Sequence, residues 1–260
     1  MKLNHTTIGP QDGLPVLLVH GLYGQGRNLG AQARRLAETR PVTTVDLRNH
    51  GDSPHDPDAS YAALAGDLAA MIDDLGGKVD LVGHSMGGKA SMLLALTHPK
   101  MVRRLAVMDI APIAYGHDQT RYVDAMERME IAHLTRRAEA DRAMTELVPE
   151  RGVRAFLLQN LDLKADPVRW RLNLKALRDH MPQIVGWPED APRGTFDGKV
   201  LEIKGELSTY VTDDGEAALR AHFPQARTVT IKGASHWLHA DAPDAVAETL
   251  AVFLGDGRDA

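Results

Sequence analysis

An α/β fold, a mostly parallel sheet covered by helices on both faces, is what this chain predicts, and three observations predict it. Apolar, β-branched runs alternate with helical patterns in residues 1–110 and again after residue 190. Gly83-His84-Ser85-Met86-Gly87 stands between one such run and a helical pattern. Ser85, Asp109 and a glycine-rich loop after Val19 all fall beyond carboxyl ends of strands, the edge where sheets of this kind bind ligands.

The elements follow in order. Val16 to Val19 is a short apolar run after a Gly13-Pro15 turn, and Asn28 to Glu38 reads as helix. Pro41 to Asp46 is β-branched, as a buried strand should be. Leu64, Leu68, Met71, Ile72 and Leu75 share one helical face, with Ser60 as N-cap and Gly76-Gly77 as the stop. Val79 to Val82 is the next strand. Ala90, Leu93, Leu94 and Thr97 then keep helical spacing up to His98-Pro99, and Leu105 to Met108 is a strand ending at Asp109. Residues 111–190 are rich in Met, Arg, Leu and Asp with helical periodicity and no clear strand, so a helical cap is expected there. The core domain would comprise residues 1–110 and 191–260. Its second part holds strands at Val200 to Ile203 and Thr228 to Ile231, a helix near Asp213 to His222, and a last helix carrying Val246, Leu250, Phe253 and Leu254.

Bulk properties exclude several functions. The chain has 260 residues, 43% hydrophobic and 25% charged, ordinary for a globular protein with a large core. A net charge of −5 offers no basic field for nucleic acid or anionic membrane. With no cysteine, disulfides, thiolate metal sites and a thiol nucleophile are ruled out. The polar stretch Met1 to Gly13 has no secretory h-region and no apolar run reaches membrane length, so the expected location is cytoplasmic.

The pentapeptide carries the chemistry. G-x-S-x-G between strand and helix is a nucleophile elbow, with one hydroxyl held at the tip of a tight turn. The hydroxyl needs a base, and histidine suits neutral pH. In hydrolases built this way the base comes late in the chain, where only His236 and His239 lie beyond the last strand. His236, five residues after Ile231 in a small-residue loop, is favoured; His239 reads as a helix-entry or supporting residue. The third member should be an acid. Where an aspartate often stands after the penultimate strand, this chain has Ser208. Asp109, among apolar neighbours, is the preferred acid and Glu206 the alternative, while Asp213 and Asp214 read as helix N-caps. The oxyanion donors should be the N–H groups of Met86 and Leu22, with Tyr23 as the alternative to Leu22. Tyr23 and His20 are candidates for the substrate pocket, and His50 for bracing nearby loops. Met126, Met129, Met144 and Met181 either line an acyl pocket or, more ordinarily, pack in the core.

Two other motifs are weaker. Gly24, Gly26 and Gly30, with Asp46 some way on, imitate a dinucleotide fingerprint, but the G-x-G-x-x-x-G spacing is one residue too long. His236 and His239 have H-x-x-H spacing without the glutamate or cysteines of a metal site, so no metal is expected.

Taken together, Leu18-Val19-His20-Gly21-Leu22, Asp46-Leu47-Arg48-Asn49-His50-Gly51, Gly83 to Ala90, Asp109-Ile110-Ala111-Pro112, Ile184-Val185-Gly186-Trp187 and His236 to Ala240 resemble the α/β-hydrolases. Within them, the chain is similar to the small bacterial carboxylesterases of the YbfF type. The resemblance covers nearly the whole chain. It implies the α/β-hydrolase fold and carboxylesterase or acyl-thioesterase activity on small acyl substrates. It also implies a triad whose acid follows the strand after the nucleophile strand, here Ser85, His236 and Asp109. The expected enzyme is a serine hydrolase without cofactor. A cofactor-free perhydrolase or haloperoxidase-like enzyme, or a non-catalytic binding member of the fold, are the alternatives. Serine at the elbow disfavours dehalogenase and epoxide hydrolase chemistry, which needs a carboxylate nucleophile.

Overall fold

The computed structural model describes residues 1–116, 119–192 and 194–257. In its sheet, neighbouring residues of each central strand face opposite sides, and both sides are apolar. Leu17, Val19, Leu81, Leu105 and Val107 enter one core, and Val16, Leu18, Val82, Ala106 and Met108 enter the other. A strand buried on both faces must be apolar throughout, which is why these runs do not alternate with polar residues.

The elements in the first part are β1 (His5–Ile8), β2 (Val16–Val19), α1 (Gly30–Leu36), β3 (Val42–Val45), α2 (Tyr61–Asp74), β4 (Val79–His84), α3 (Met86–Thr97) and β5 (Val102–Met108). An insertion follows with α4 (Thr120–Arg128), α5 (Arg137–Met144), α6 (Arg151–Leu158), β6 (Leu161–Asp162), β7 (Arg169–Trp170), α7 (Leu174–Asp179) and α8 (Met181–Val185). The last part holds β8 (Lys199–Gly205), α9 (Asp213–His222), β9 (Ala226–Ile231), α10 (Leu238–Asp241) and α11 (Pro243–Leu254). The main sheet has seven strands in the order β1-β3-β2-β4-β5-β8-β9, with only β1 antiparallel to its neighbour. Helices α1 and α11 cover one face, and α2, α3 and the insertion belong to the core of the other.

Local signals end the helices where the sequence predicts. Ser60 Oγ accepts the N–H of Ala63 at 3.2 Å, and Gly76 and Gly77 take φ of 105° and 84° after α2. Three expectations change. The strand β1 is unannounced, because His5-Thr6-Thr7-Ile8 has one apolar residue and only its pairing with β3 holds it extended. The insertion is not wholly helical: β6 and β7 pair as two-residue strands, too short to leave a periodic signal. At α9 the N-cap is Thr212, whose Oγ1 accepts from Gly215 at 3.2 Å; Asp213 and Asp214 occupy the first turn instead and favour the helix dipole.

Candidate active site

The turn between β4 and α3 sets the site. Gly83 and Gly87 are required there, since a Cβ on Gly83 would lie 2.5 Å from Gly87 O and one on Gly87 would overlap His20 O. Ser85, between them, takes φ 52° and ψ −121°, in the positive-φ region that costs a β-carbon residue energy. Only four non-glycine residues described have positive φ: Tyr23, Asn49, Ser85 and Asp109. Three of them are candidate site residues, so backbone strain concentrates where the sequence puts the chemistry.

Three loops converge on Ser85. Its Oγ donates to His236 Nε2 at 3.0 Å, and His236 Nδ1 donates to Asp109 Oδ2 at 2.8 Å. Asp109 is fully buried, and its carboxylate also accepts from Gly205 N–H at 2.9 Å and from the Ser208 hydroxyl. Gly205 and Ser208 thus fix Asp109, and Asp109 holds the imidazole with Nε2 toward the serine. Glu206, the alternative acid, points elsewhere: it accepts the N–H of Gly233 at 2.8 Å. Ser208 therefore contacts the carboxylate rather than leaving a gap.

Leu22, Tyr23 and Met86 all line the cavity beside Ser85. Among the described residues no acceptor takes the N–H of Leu22 or of Met86. The N–H of Tyr23 is spent on His50 Nε2 at 3.2 Å, which removes Tyr23 as the alternative oxyanion donor. His20 is a correction. It is buried and does not line the cavity, because its Nε2 accepts Leu47 N–H at 3.0 Å and its Nδ1 meets Gly21 O at 2.8 Å. Both His20 and His50 brace the loop after β2 through backbone groups. Asp46 does the same, accepting from Gly26, Asp52 and Asn4, so its carboxylate is not offered to a ribose.

The cavity measures about 470 Å³. Tyr61, Ile110, Tyr115, Val153, Phe156, Leu157, Ile184 and Trp237 give it apolar walls, and Gln119, Arg121 and Tyr122 of the insertion also line it. Met126, Met129, Met144 and Met181 are absent from that lining and pack in the core, the more ordinary reading.

Sequence reasoning missed several neighbours. The Tyr210 ring stacks on His236 at 3.7 Å between centroids and 14° between planes. Tyr115 accepts from Ala111 N–H at 2.8 Å and donates to Tyr210 O at 2.9 Å. Fully buried Glu202 accepts the Asp109 N–H at 3.1 Å, and burial, with Asp109 beside it, pushes its carboxyl well above the usual range. Glu202 thus shares the N–H of the strained Asp109 with Ile203 O, which accepts it at 2.9 Å. A lone glutamate inside an apolar strand was the available signal. No cluster of three or more potential metal ligands occurs among the described residues.

Four buried histidines surround this machinery. Burial lowers His20 and His84, takes His50 down to about 3 and His239 to about 4. His50 and His239 therefore stay neutral in the fold down to pH 5, while an unfolded histidine titrates near 6.5. Their stabilisation is full above about pH 6.5 and falls with pH, because the unfolded chain then binds protons the fold refuses. Between pH 6.5 and 5, His50 and His239 together remove at most about 4 kcal/mol at about 1.4 kcal/mol per pH unit each. The melting temperature should therefore fall by several degrees from pH 7 to 5, and a flat profile in thermal denaturation would contradict this.

Comparisons with known proteins agree with the geometry. The model of the alpha/beta hydrolase family matches residues 16–249. The chain is 39% identical over 263 residues to the esterase YbfF of Escherichia coli, spanning 98% of this chain and 100% of that one. It is also 39% identical to the sn-1-specific diacylglycerol lipase ABHD11 of Mus musculus over 98% of this chain and 85% of the relative. A solved marine microorganism esterase superposes with a TM-score of 0.92 at 33% identity, covering 97% of this chain and 99% of the other.

Proposed function

The chain belongs to the alpha/beta hydrolase family and is an esterase- or lipase-type hydrolase, and from that premise we propose that it is a serine carboxylesterase acting on small acyl esters or thioesters. The observation that carries the reading is the hydrogen-bonded series Ser85–His236–Asp109 opening into an apolar cavity. Ser85 Oγ attacks the acyl carbonyl as His236 Nε2 takes its proton. Asp109 orients the imidazole and stabilises its positive charge. The N–H groups of Leu22 and Met86 receive the oxyanion, each contributing roughly 3 kcal/mol at the transition state. His236 then protonates the leaving group, and a water it deprotonates releases the acid from Ser85.

Residues 111–190 act as the cap that closes the pocket and excludes water from the acyl-enzyme. No helix among the described residues is long and apolar enough to cross a membrane. The cytoplasm is the proposed location, which cell fractionation tests.

A panel of p-nitrophenyl esters and acyl thioesters of rising chain length tests the activity. Hydrolysis should pass through an optimum in kcat/KM, since walls of fixed size reward burial of about 0.8 kcal/mol per methylene only until the cavity is full. No turnover of any ester, together with no labelling by a fluorophosphonate, would sink the reading and leave a binding member of the fold.

A further inference from the structure

Lys89 is 1% exposed, one turn beyond Ser85 in α3, and its N–H bonds Ser85 O at 3.0 Å. It makes no ion pair among the described residues. Its Nζ donates to Ile113 O at 2.8 Å, to Val185 O at 3.0 Å and to Gly186 O. Three donors meet three acceptors, so nothing is left over for a substrate. A buried ammonium costs several kcal/mol unless such partners compensate it. A methionine would fill similar space without that cost, so the charge itself has a task.

The acceptors identify the task. Ile113 lies where the chain leaves β5 for the insertion, and Val185 and Gly186 lie where it returns after α8. The two crossings also bond each other, Tyr115 N–H to Val185 O at 3.0 Å. Tyr115, Ile184 and Val185, at or beside these crossings, all line the cavity.

We propose that Lys89 is a positioning residue that clamps both crossings of the cap to the nucleophile helix and so sets how deep an acyl chain reaches beside Ser85. The proposal rests on the esterase reading and deepens it. An acetyl group does not reach this wall as a longer chain does, so Lys89 governs selection by length.

The clamp depends on protonation. Burial takes the Lys89 ammonium down to about 7. The groups facing it are three carbonyls and the rings of Tyr61 and Tyr115, the latter centred 4.6 Å away; burial pushes both phenols up, so they stay neutral. A neutral amine has two donors for three carbonyls. Arginine keeps its charge throughout.

The test compares Lys89→Met, Lys89→Arg and the wild-type chain on p-nitrophenyl acetate and octanoate. Lys89→Met should raise the octanoate-to-acetate KM ratio about tenfold, the effect of losing one charge-assisted hydrogen bond's worth of positioning. Lys89→Arg should hold the ratio near wild type and keep it level from pH 7 to 9. An unchanged ratio in Lys89→Met overturns the proposal, as does an equal shift in Lys89→Arg, which would make volume the cause. If Lys89→Met does not fold, hydrogen exchange of the wild-type Tyr115 amide decides. Its protection should drop between pH 7 and 9 after correction for intrinsic rates, and constant protection overturns the clamp. Loss of fluorophosphonate labelling at Ser85 in the wild type strikes the esterase reading instead; labelling with an unmoved ratio strikes Lys89 alone.

Discussion

Ser85→Ala should lower ester turnover by roughly 10⁴- to 10⁶-fold while leaving the chain folded. Alanine keeps the Cβ that the turn already accommodates at φ 52°, so no new strain enters. What disappears is the Oγ and its 3.0 Å bond to His236 Nε2, a loss of about 1 kcal/mol to stability. Residual catalysis would come from the Leu22 and Met86 donors acting on water attack. Kinetics on a p-nitrophenyl ester checks the rate, and circular dichroism checks the fold. A fluorophosphonate should add to Ser85 in the wild type and to nothing in the variant. Near-normal turnover by Ser85→Ala, or the adduct on another residue, would remove the nucleophile from the proposal.

Asp109→Asn should cut kcat by about 10⁴-fold, whereas Glu206→Gln should change it by less than about threefold. The reason is donor arithmetic. The Asp109 carboxylate accepts from His236 Nδ1, Gly205 N–H and the Ser208 hydroxyl. An asparagine has one accepting oxygen and an NH₂ group. If the oxygen meets Gly205, the NH₂ faces His236 and requires Nδ1 to accept. The imidazole then carries its proton on Nε2 and cannot take one from Ser85. If the amide flips, its NH₂ confronts Gly205 N–H in a fully buried site. Glu206 bonds Gly233 N–H at 2.8 Å and has no contact with His236 to lose. A large defect in Glu206→Gln with a mild one in Asp109→Asn would move the acid.

The parts of the site differ in how far they were legible. Ser85 was readable because its signal is local: glycines two residues either side, an apolar strand before and a helical pattern after. His236 was readable from chain order, since only two histidines follow the last strand. Asp109 was harder, because Glu206 competed near the end of the penultimate strand; its apolar neighbours gave the preference and the resemblance agreed with it. Leu22 and Met86 followed from their places beside the strand ends. His20 was misjudged, as adjacency to the oxyanion loop says nothing of which way a ring turns. Ser208 was noticed as an oddity, but its contact with Asp109 was not. Tyr210 and Lys89 left no pattern to read, since stacking and a three-carbonyl clamp depend on partners distant in the chain, and Glu202 left only a glutamate inside an apolar strand.

The same division holds for the fold. By itself the sequence determined the alternation of buried strands and helices, the Ser60 cap, the Gly76-Gly77 stop and the elbow, because these rest on local periodicity and on backbone angles within a few residues. The strand order, the edge pairing of β1, and the meeting of Ser85, Asp109 and His236 across separations of 127 and 151 residues came from long-range packing. Those contacts are set by how the sheet stacks its neighbours. A hydrophobic pattern states which face of a strand is buried, but not which strand lies beside it, and a candidate site built from three loops is a consequence of that second choice.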